Sequence, residues 1–242
     1  MNLIIVEDYQ ELSLKAAEMV AAEISQNPQV VLGLATGSTP EGMYAELVKM
    51  NRHGQLDFSR VSTFNLDEYA GLDAEHEQSY HHYMYKHLFS HVNINHLQIN
   101  MPTCEVSDLD HFCREYDQRI AAAGGIDLQV LGIGGNGHIG FNEPDHQLRV
   151  QTHLVDLTVE TITANSRFFS STEEVPKQAI TMGLGSIMLA KKILLLAAGK
   201  NKAEAIAGSL SGLITTALPA SLLQLHRDVT VIADREAACL IT

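Results

Sequence analysis

Short, continuously apolar runs recur along this chain, and amphipathic stretches lie between them. Residues 3–6, 29–34, 61–65, 128–133, 152–155, 193–197 and 229–233 have the length and composition of strands. Helical spacing fills residues 9–26 and stretches near 79–89, 107–123, 202–210 and 220–226. Asp8 with Glu11 makes a capping-box pattern, Thr39-Pro40 opens a helix after the second strand, and Ser107 with Asp110 signals a further start. A strand without polar alternation has both faces covered, so the pattern predicts an α/β fold: a mostly parallel sheet with helices on both sides. No Pro/Ser linker, low-complexity tract or repeat interrupts the sequence, and residues 1–242 are expected to form a single domain. In such folds ligands bind at the carboxyl ends of the strands, so the loops there hold the candidate chemistry.

Charge narrows the partners. Lys and Arg number 16 against 29 Asp and Glu, a net charge of −13. Nucleic acid and anionic membranes need a basic surface, so neither is an expected partner. A small anionic ligand needs only two or three local cations. No apolar run approaches the ~18 residues of a transmembrane helix, and the apolar start meets Glu7 and Asp8 without a basic flank, unlike a signal peptide. The last four residues match a prenylation box only loosely. Cys104, Cys113 and Cys239 are odd in number and form no C-x-x-C, which favours a reducing compartment over a disulfide framework. With no Trp and 6% aromatic residues, an aromatic-rich binding platform is not expected.

Three loops carry the chemistry. Ala35-Thr36-Gly37-Ser38-Thr39-Pro40 lies between a strand and a helix. Gly37 permits a tight turn, Ser38 and Thr39 offer hydroxyls, and the free N–H groups of a helix start favour an anion; an ordinary capped turn is the alternative. Phe64-Asn65-Leu66-Asp67-Glu68-Tyr69 places two acids at a strand's carboxyl end, either a general base or a solvated turn. Residues 132–144 hold five glycines in their first nine positions, followed by Phe141-Asn142-Glu143-Pro144. Gly132, Gly134 and Gly137 match the spacing of a dinucleotide fingerprint, with Asp156 near the ribose position, but Gly140, Asn142 and Pro144 break the helix that fingerprint requires. A loop presenting His138 and Glu143 to a cleft for proton transfer is the better reading.

Arg167, in Asn165-Ser166-Arg167-Phe168-Phe169, and Lys202, in Gly199-Lys200-Asn201-Lys202-Ala203, are candidate phosphate clamps. Seven of the 12 histidines fall between His76 and His111. His82 and His87 do not share a helix face, and His87 with His91 lacks an obvious carboxylate, so these read as surface composition with no metal site.

Together with Gln178-Ala179-Ile180-Thr181-Met182-Gly183 and residues 219–226, these segments resemble the glucosamine-6-phosphate deaminase (isomerase) family, in family order and over nearly the whole chain. The resemblance implies a Rossmann-like three-layer α/β/α fold and a cytoplasmic enzyme of amino-sugar catabolism. It implies conversion of glucosamine 6-phosphate and water to fructose 6-phosphate and ammonia, with no metal or organic cofactor. At matching positions Asp67 moves a proton from C2 to C1. His138, supported by Glu143 and Asn136, opens the sugar ring. Thr36, Gly37, Ser38, Thr39, Arg167 and Lys202 bind substrate at its phosphate.

Many family members have Asp where Asn136 stands, and an amide cannot take a proton from His138. Allosteric, hexameric members are longer and carry basic residues in the segment matching residues 145–156, where this chain has His146, Gln147, His153 and Val155. The resemblance therefore implies a monomer or small homo-oligomer without activation by N-acetylglucosamine 6-phosphate. The rival readings are a 6-phosphogluconolactonase, a sugar-phosphate sensor and a dinucleotide-dependent dehydrogenase.

Overall fold

The computed structural model describes residues 1–241. Seven strands form one sheet: β1 (Asn2–Val6), β2 (Val31–Leu34), β3 (Ser62–Asn65), β5 (Ile99–Asn100), β6 (Leu128–Gly132), β9 (Lys192–Ala197) and β10 (Val229–Asp234). Their order is β1-β10-β9-β6-β2-β3-β5, and every neighbouring pair is parallel. Helices α1 (Tyr9–Gln26), α2 (Ser38–Arg52), α3 (Tyr80–His87), α4 (Leu109–Ala122), α5 (Val159–Asn165), α6 (Leu184–Leu189) and α7 (Ala203–Ser209) complete the layers.

Side chains alternate across a strand, so a fully apolar strand feeds two cores. On β9, Leu194 and Leu196 pack with Leu12 and Ala16 of α1, Met43 and Leu47 of α2 and Met84 of α3. Ile193, Leu195 and Ala197 join the opposite core, with Tyr116 and Ile120 of α4, Ile187 of α6 and Ile206 of α7. Burying each such Leu or Ile contributes about 1.5–3 kcal/mol relative to leaving it in water. The three-layer α/β/α architecture follows from this two-sided burial.

Local signals fix the helix starts with two small shifts. Asp8 Oδ1 accepts the Glu11 N–H at 2.9 Å, and Glu11 reaches back to the Glu7 N–H at 2.7 Å. At α4 the cap is Asp108, which accepts the His111 N–H at 2.9 Å; Ser107 lies one residue outside. Asp and Ser are comparable caps, and the carboxylate takes the position nearer the helix. Helix α2 begins at Ser38, so Pro40 is its third residue, where an N–H is still not needed. The expected helix at 220–226 is a 3-10 turn, Pro219–Leu225.

The strand expected at 152–155 is present as β7 (His153–Asp156) but outside the parallel sheet. It pairs antiparallel with β8 (Gln178–Thr181), which also pairs antiparallel with β4 (Asp67–Tyr69). This small sheet covers an apolar cluster of Tyr69, Phe141, Leu157 and Ala179.

The topology singles out one crevice. From β2 the chain steps outward through β3 to β5; from β6 it steps the other way through β9 to β10. The strand order therefore reverses between β2 and β6, and the loops leaving those two strands diverge to opposite sides. Such switch points open a crevice at the carboxyl edge.

Candidate active site

A cavity of about 620 Å³ occupies that crevice. The loop after β2 supplies Thr36, Gly37, Ser38 and Thr39; the loop after β6 supplies His138; β4 of the small sheet supplies Asp67. Arg167, in a 3-10 turn after α5, and Lys202, just before α7, close one end. Eight of the ten candidate residues thus line one space. Asn136 and Glu143 stand behind His138.

The two adjacent acids have separate fates. Glu68 Oε1 accepts the N–H groups of Tyr69 and Tyr80, at 2.8 and 2.9 Å, and Oε2 accepts that of His81 at 2.8 Å. It therefore anchors the start of α3, whose unpaired N–H groups favour a carboxylate. Asp67 is 6% exposed and accepts a hydrogen bond from no described residue. Burial, and then the neighbouring Glu68 charge, push its carboxyl up to about 8. A carboxylate held without partners in a cavity is a strong base. Gly140 beside it takes φ +56°, a conformation that favours glycine, and a Cβ there would lie 3.0 Å from Thr181 Oγ1.

His138 is held from behind. Its Nδ1 lies 3.1 Å from Glu143 Oε2, and Asn136 Nδ2 donates to that same oxygen at 2.8 Å. Thr161 Oγ1 donates to the other carboxylate oxygen. Burial raises the Glu143 carboxyl, but the hydrogen bonds from His138, Thr161 and Asn136 outweigh it and hold the group below its ordinary range. An ionised Glu143 accepts only, which puts the proton on Nδ1 and leaves the Nε2 lone pair available. Asn136 Oδ1 accepts the backbone N–H of His138 at 3.2 Å, so the amide steadies Glu143 and the loop without touching the ring. The imidazole lies over Gly134, where a Cβ would come within 2.5 Å of it. No helix begins at these glycines: residues 133–152 are loop, which removes the dinucleotide fingerprint.

The far end suits an anion. Gly37, at φ +96°, caps α2 in a conformation that favours glycine. The first N–H groups of α2 have no intrahelical acceptor. Arg167 Nη2 reaches Ser38 Oγ at 3.4 Å, and burial, then Arg167, pull the Lys202 ammonium below its ordinary range.

Three features escaped the sequence reading. Thr161 sits 18 residues from Glu143 with no motif to mark it. The cavity has an aromatic wall, contrary to the expectation from composition: Tyr69 lies 4.7 Å from Tyr80, 5.7 Å from Phe141 and 5.9 Å from Phe169. Few aromatic residues suffice when the fold gathers them. His87 lines the cavity, 3.7 Å from Glu41, so it is not surface composition. Among the described residues, no three His, Cys, Asp or Glu side chains are placed to hold a metal ion.

Comparison with known proteins follows the same lines. The family model described as glucosamine-6-phosphate isomerases/6-phosphogluconolactonase matches residues 7–232. The chain is 58% identical over 241 residues to a glucosamine-6-phosphate deaminase of Thermoanaerobacter sp. (strain X514), covering all of this chain and 95% of that one. It is 55% identical over 241 residues to the enzyme of the same name from Halothermothrix orenii, covering both chains fully. A solved monomeric glucosamine-6-phosphate deaminase superposes with a TM-score of 0.97 at 47% identity, over 99% of this chain and all of that one. A 6-phosphogluconolactonase from Leishmania guyanensis shares the fold at a TM-score of 0.74 and 24% identity, over 98% of this chain and 97% of that one.

Proposed function

The chain belongs to the glucosamine-6-phosphate isomerase/6-phosphogluconolactonase family, and on that premise we propose how its cavity works. The protein is a glucosamine-6-phosphate deaminase, an enzyme that converts glucosamine 6-phosphate and water to fructose 6-phosphate and ammonia. The observation that carries the residue assignment is that one cavity holds both sets of groups. A buried, unpartnered carboxylate and a carboxylate-backed imidazole line it together with a helix start and two cations.

The phosphate binds among Thr36, Gly37, Ser38, Thr39, Arg167 and Lys202. This remote binding energy places the reacting carbons beneath Asp67 and His138. His138 Nε2 takes the proton of the O1 hydroxyl and returns it to the ring oxygen, which opens the ring to the aldehyde. Glu143 holds the imidazole and stabilises its charge when protonated, and Asn136 and Thr161 hold Glu143. Asp67 removes the C2 proton to give an enolamine and delivers it to C1 on the same face. The resulting C2 imine adds water and loses ammonia, which leaves the ketone. Hydrogen moves between adjacent carbons with no net redox change, so no cofactor is expected.

Asp67 and Arg167 come from the small sheet and its β7–β8 connection, and Thr36, Gly37, Ser38, Thr39, His138 and Lys202 from loops of the large one, so residues 1–242 act as one catalytic unit. The enzyme works as a monomer, a reading supported by its likeness to the monomeric deaminase. No described helix is long and apolar enough to cross a membrane, and free cysteines at Cys104, Cys113 and Cys239 fit a cytoplasmic setting.

The test is paired product detection. Incubation with glucosamine 6-phosphate is expected to yield ammonia and fructose 6-phosphate in equal amounts. Ligand binding with neither product would return the protein to lactone hydrolysis or sensing.

A further inference from the structure

Three tyrosines that play no part in the chemistry converge behind the anion end of the cavity. Tyr44 Oη donates to the Ala35 carbonyl at 2.6 Å, Tyr83 Oη to the Gly37 carbonyl at 2.7 Å, and Tyr9 Oη to the Ser38 carbonyl at 2.8 Å. Tyr9 Oη also accepts the Gly42 N–H at 2.8 Å. Burial pushes the Tyr44 and Tyr83 hydroxyls above their ordinary range, so both stay protonated and donate.

A trans peptide is planar, and its C=O and N–H point in opposite directions. Holding a carbonyl therefore fixes the direction of the following amide. The three phenols fix the amides of Thr36, Ser38 and Thr39. Those of Thr36 and Gly37 donate to no described residue, and those of Ser38 and Thr39 lie in the first turn of α2. Without the phenols, a glycine-hinged loop is free to turn a carbonyl oxygen toward the anion, and a carbonyl repels it.

Resting on the phosphate reading above, we propose that Tyr83 is a positioning residue for phosphate binding: its hydroxyl locks the Gly37 carbonyl so that the Ser38 amide stays aimed at the anion. Tyr83 is the member of the set best placed for this task. It lines the cavity on α3, meets Tyr44 edge-on at 6.5 Å and packs against His87 at 4.4 Å, so its ring is held on both sides. It links α3 to the phosphate loop by one bond that no motif in either segment marks.

Tyr83→Phe keeps the ring and its packing and removes only the hydroxyl. The expected result is a three- to tenfold rise in KM for glucosamine 6-phosphate, the scale of one lost hydrogen bond, with kcat within twofold. The Kd for inorganic phosphate, measured by calorimetry on the whole protein, is expected to rise by the same factor. Tyr85→Phe removes a phenol of the same helix that faces His96 at 3.4 Å, and is expected to change neither constant. Should Tyr83→Phe fail to fold, Tyr9→Phe, at a more exposed position, tests the same bracing through the Ser38 carbonyl. Arg167→Ala serves as the reference. If it weakens phosphate binding while the tyrosine variants do not, the positioning role is overturned and the phosphate site stands. If Arg167→Ala also leaves phosphate binding unchanged, the phosphate assignment itself falls and takes this proposal with it.

Discussion

Asp67 and Glu68 differ by one position and one chemical task, and the difference lies in their hydrogen bonds. Three backbone N–H groups occupy Glu68, while none occupies Asp67. The sequence could show the acidic pair at a strand end but not this division, because Tyr80 and His81 lie 12 and 13 residues further on. His138 and Glu143 were more legible, since both sit in one glycine-dense loop. Burial first, then Glu68, raise the Asp67 carboxyl from 3.8 to about 8. The folded protein therefore favours the neutral acid. Its contribution to stability is fully present below about pH 4, is lost as pH rises toward 8, and changes little above that. Asp67→Asn never ionises, so its melting temperature is expected to gain on the parent's between pH 5 and 8 and to hold that gain above. The gain corresponds to several kcal/mol by linkage, on the order of 1.4 kcal/mol per pH unit. Turnover of Asp67→Asn is expected to fall by a factor of about 10²–10⁴, the usual share of a general base. Thermal melts across pH and an ammonia assay check both, and near-parental turnover would remove Asp67 from the mechanism. In the parent, kcat/KM is expected to rise with pH until Asp67 is ionised, near 8.

At the scale of elements, legibility followed the local apolar pattern. Strands β2, β6, β9 and β10 are buried on both faces and read directly as continuous apolar runs. Of the small sheet only β7 read this way. Its strands β4 and β8 are three and four residues long, and they pair with each other across more than 100 positions, as Asp67 does with Thr181. Local pattern carries no trace of such a partner. The same holds for α3, whose seat is Glu68. Glu68→Gln replaces an acceptor oxygen with an amide NH2 that faces backbone donors. That change is expected to lower global stability by about 2 kcal/mol, the cost of a lost charge-assisted bond with unpaired buried groups. Because α3 also carries Tyr83, KM is expected to rise together with the loss of stability. Urea unfolding read beside steady-state kinetics checks the pair of effects. An unchanged unfolding midpoint would show that α3 is held elsewhere.

For the whole molecule, the decisive property is that one chain completes the cavity. The β2 loop supplies Thr36, Gly37, Ser38 and Thr39, the β6 loop His138 and the small sheet Asp67, and the turns near Arg167 and Lys202 add the two cations. Cooperativity requires two states whose balance a second site shifts, and coupling between subunits requires an interface to carry it. A cavity complete within one protomer has no need of a partner. Residues 145–156 hold Arg149 as their one Lys or Arg, beside His146, Gln147, His153 and Val155, and β7 ties their latter part into the small sheet through four pairings with β8. A phosphorylated effector would meet few cations there, on an element already fixed by backbone pairing. The rate is therefore expected to follow substrate concentration as a hyperbola, with a Hill coefficient near 1. N-acetylglucosamine 6-phosphate at millimolar concentration is expected to leave that curve unchanged. Light scattering during turnover is expected to give the mass of a single 26.5 kDa chain. A sigmoidal curve that the effector makes hyperbolic, or a larger mass that appears with substrate, would place regulation between chains and overturn this reading of a self-sufficient protomer.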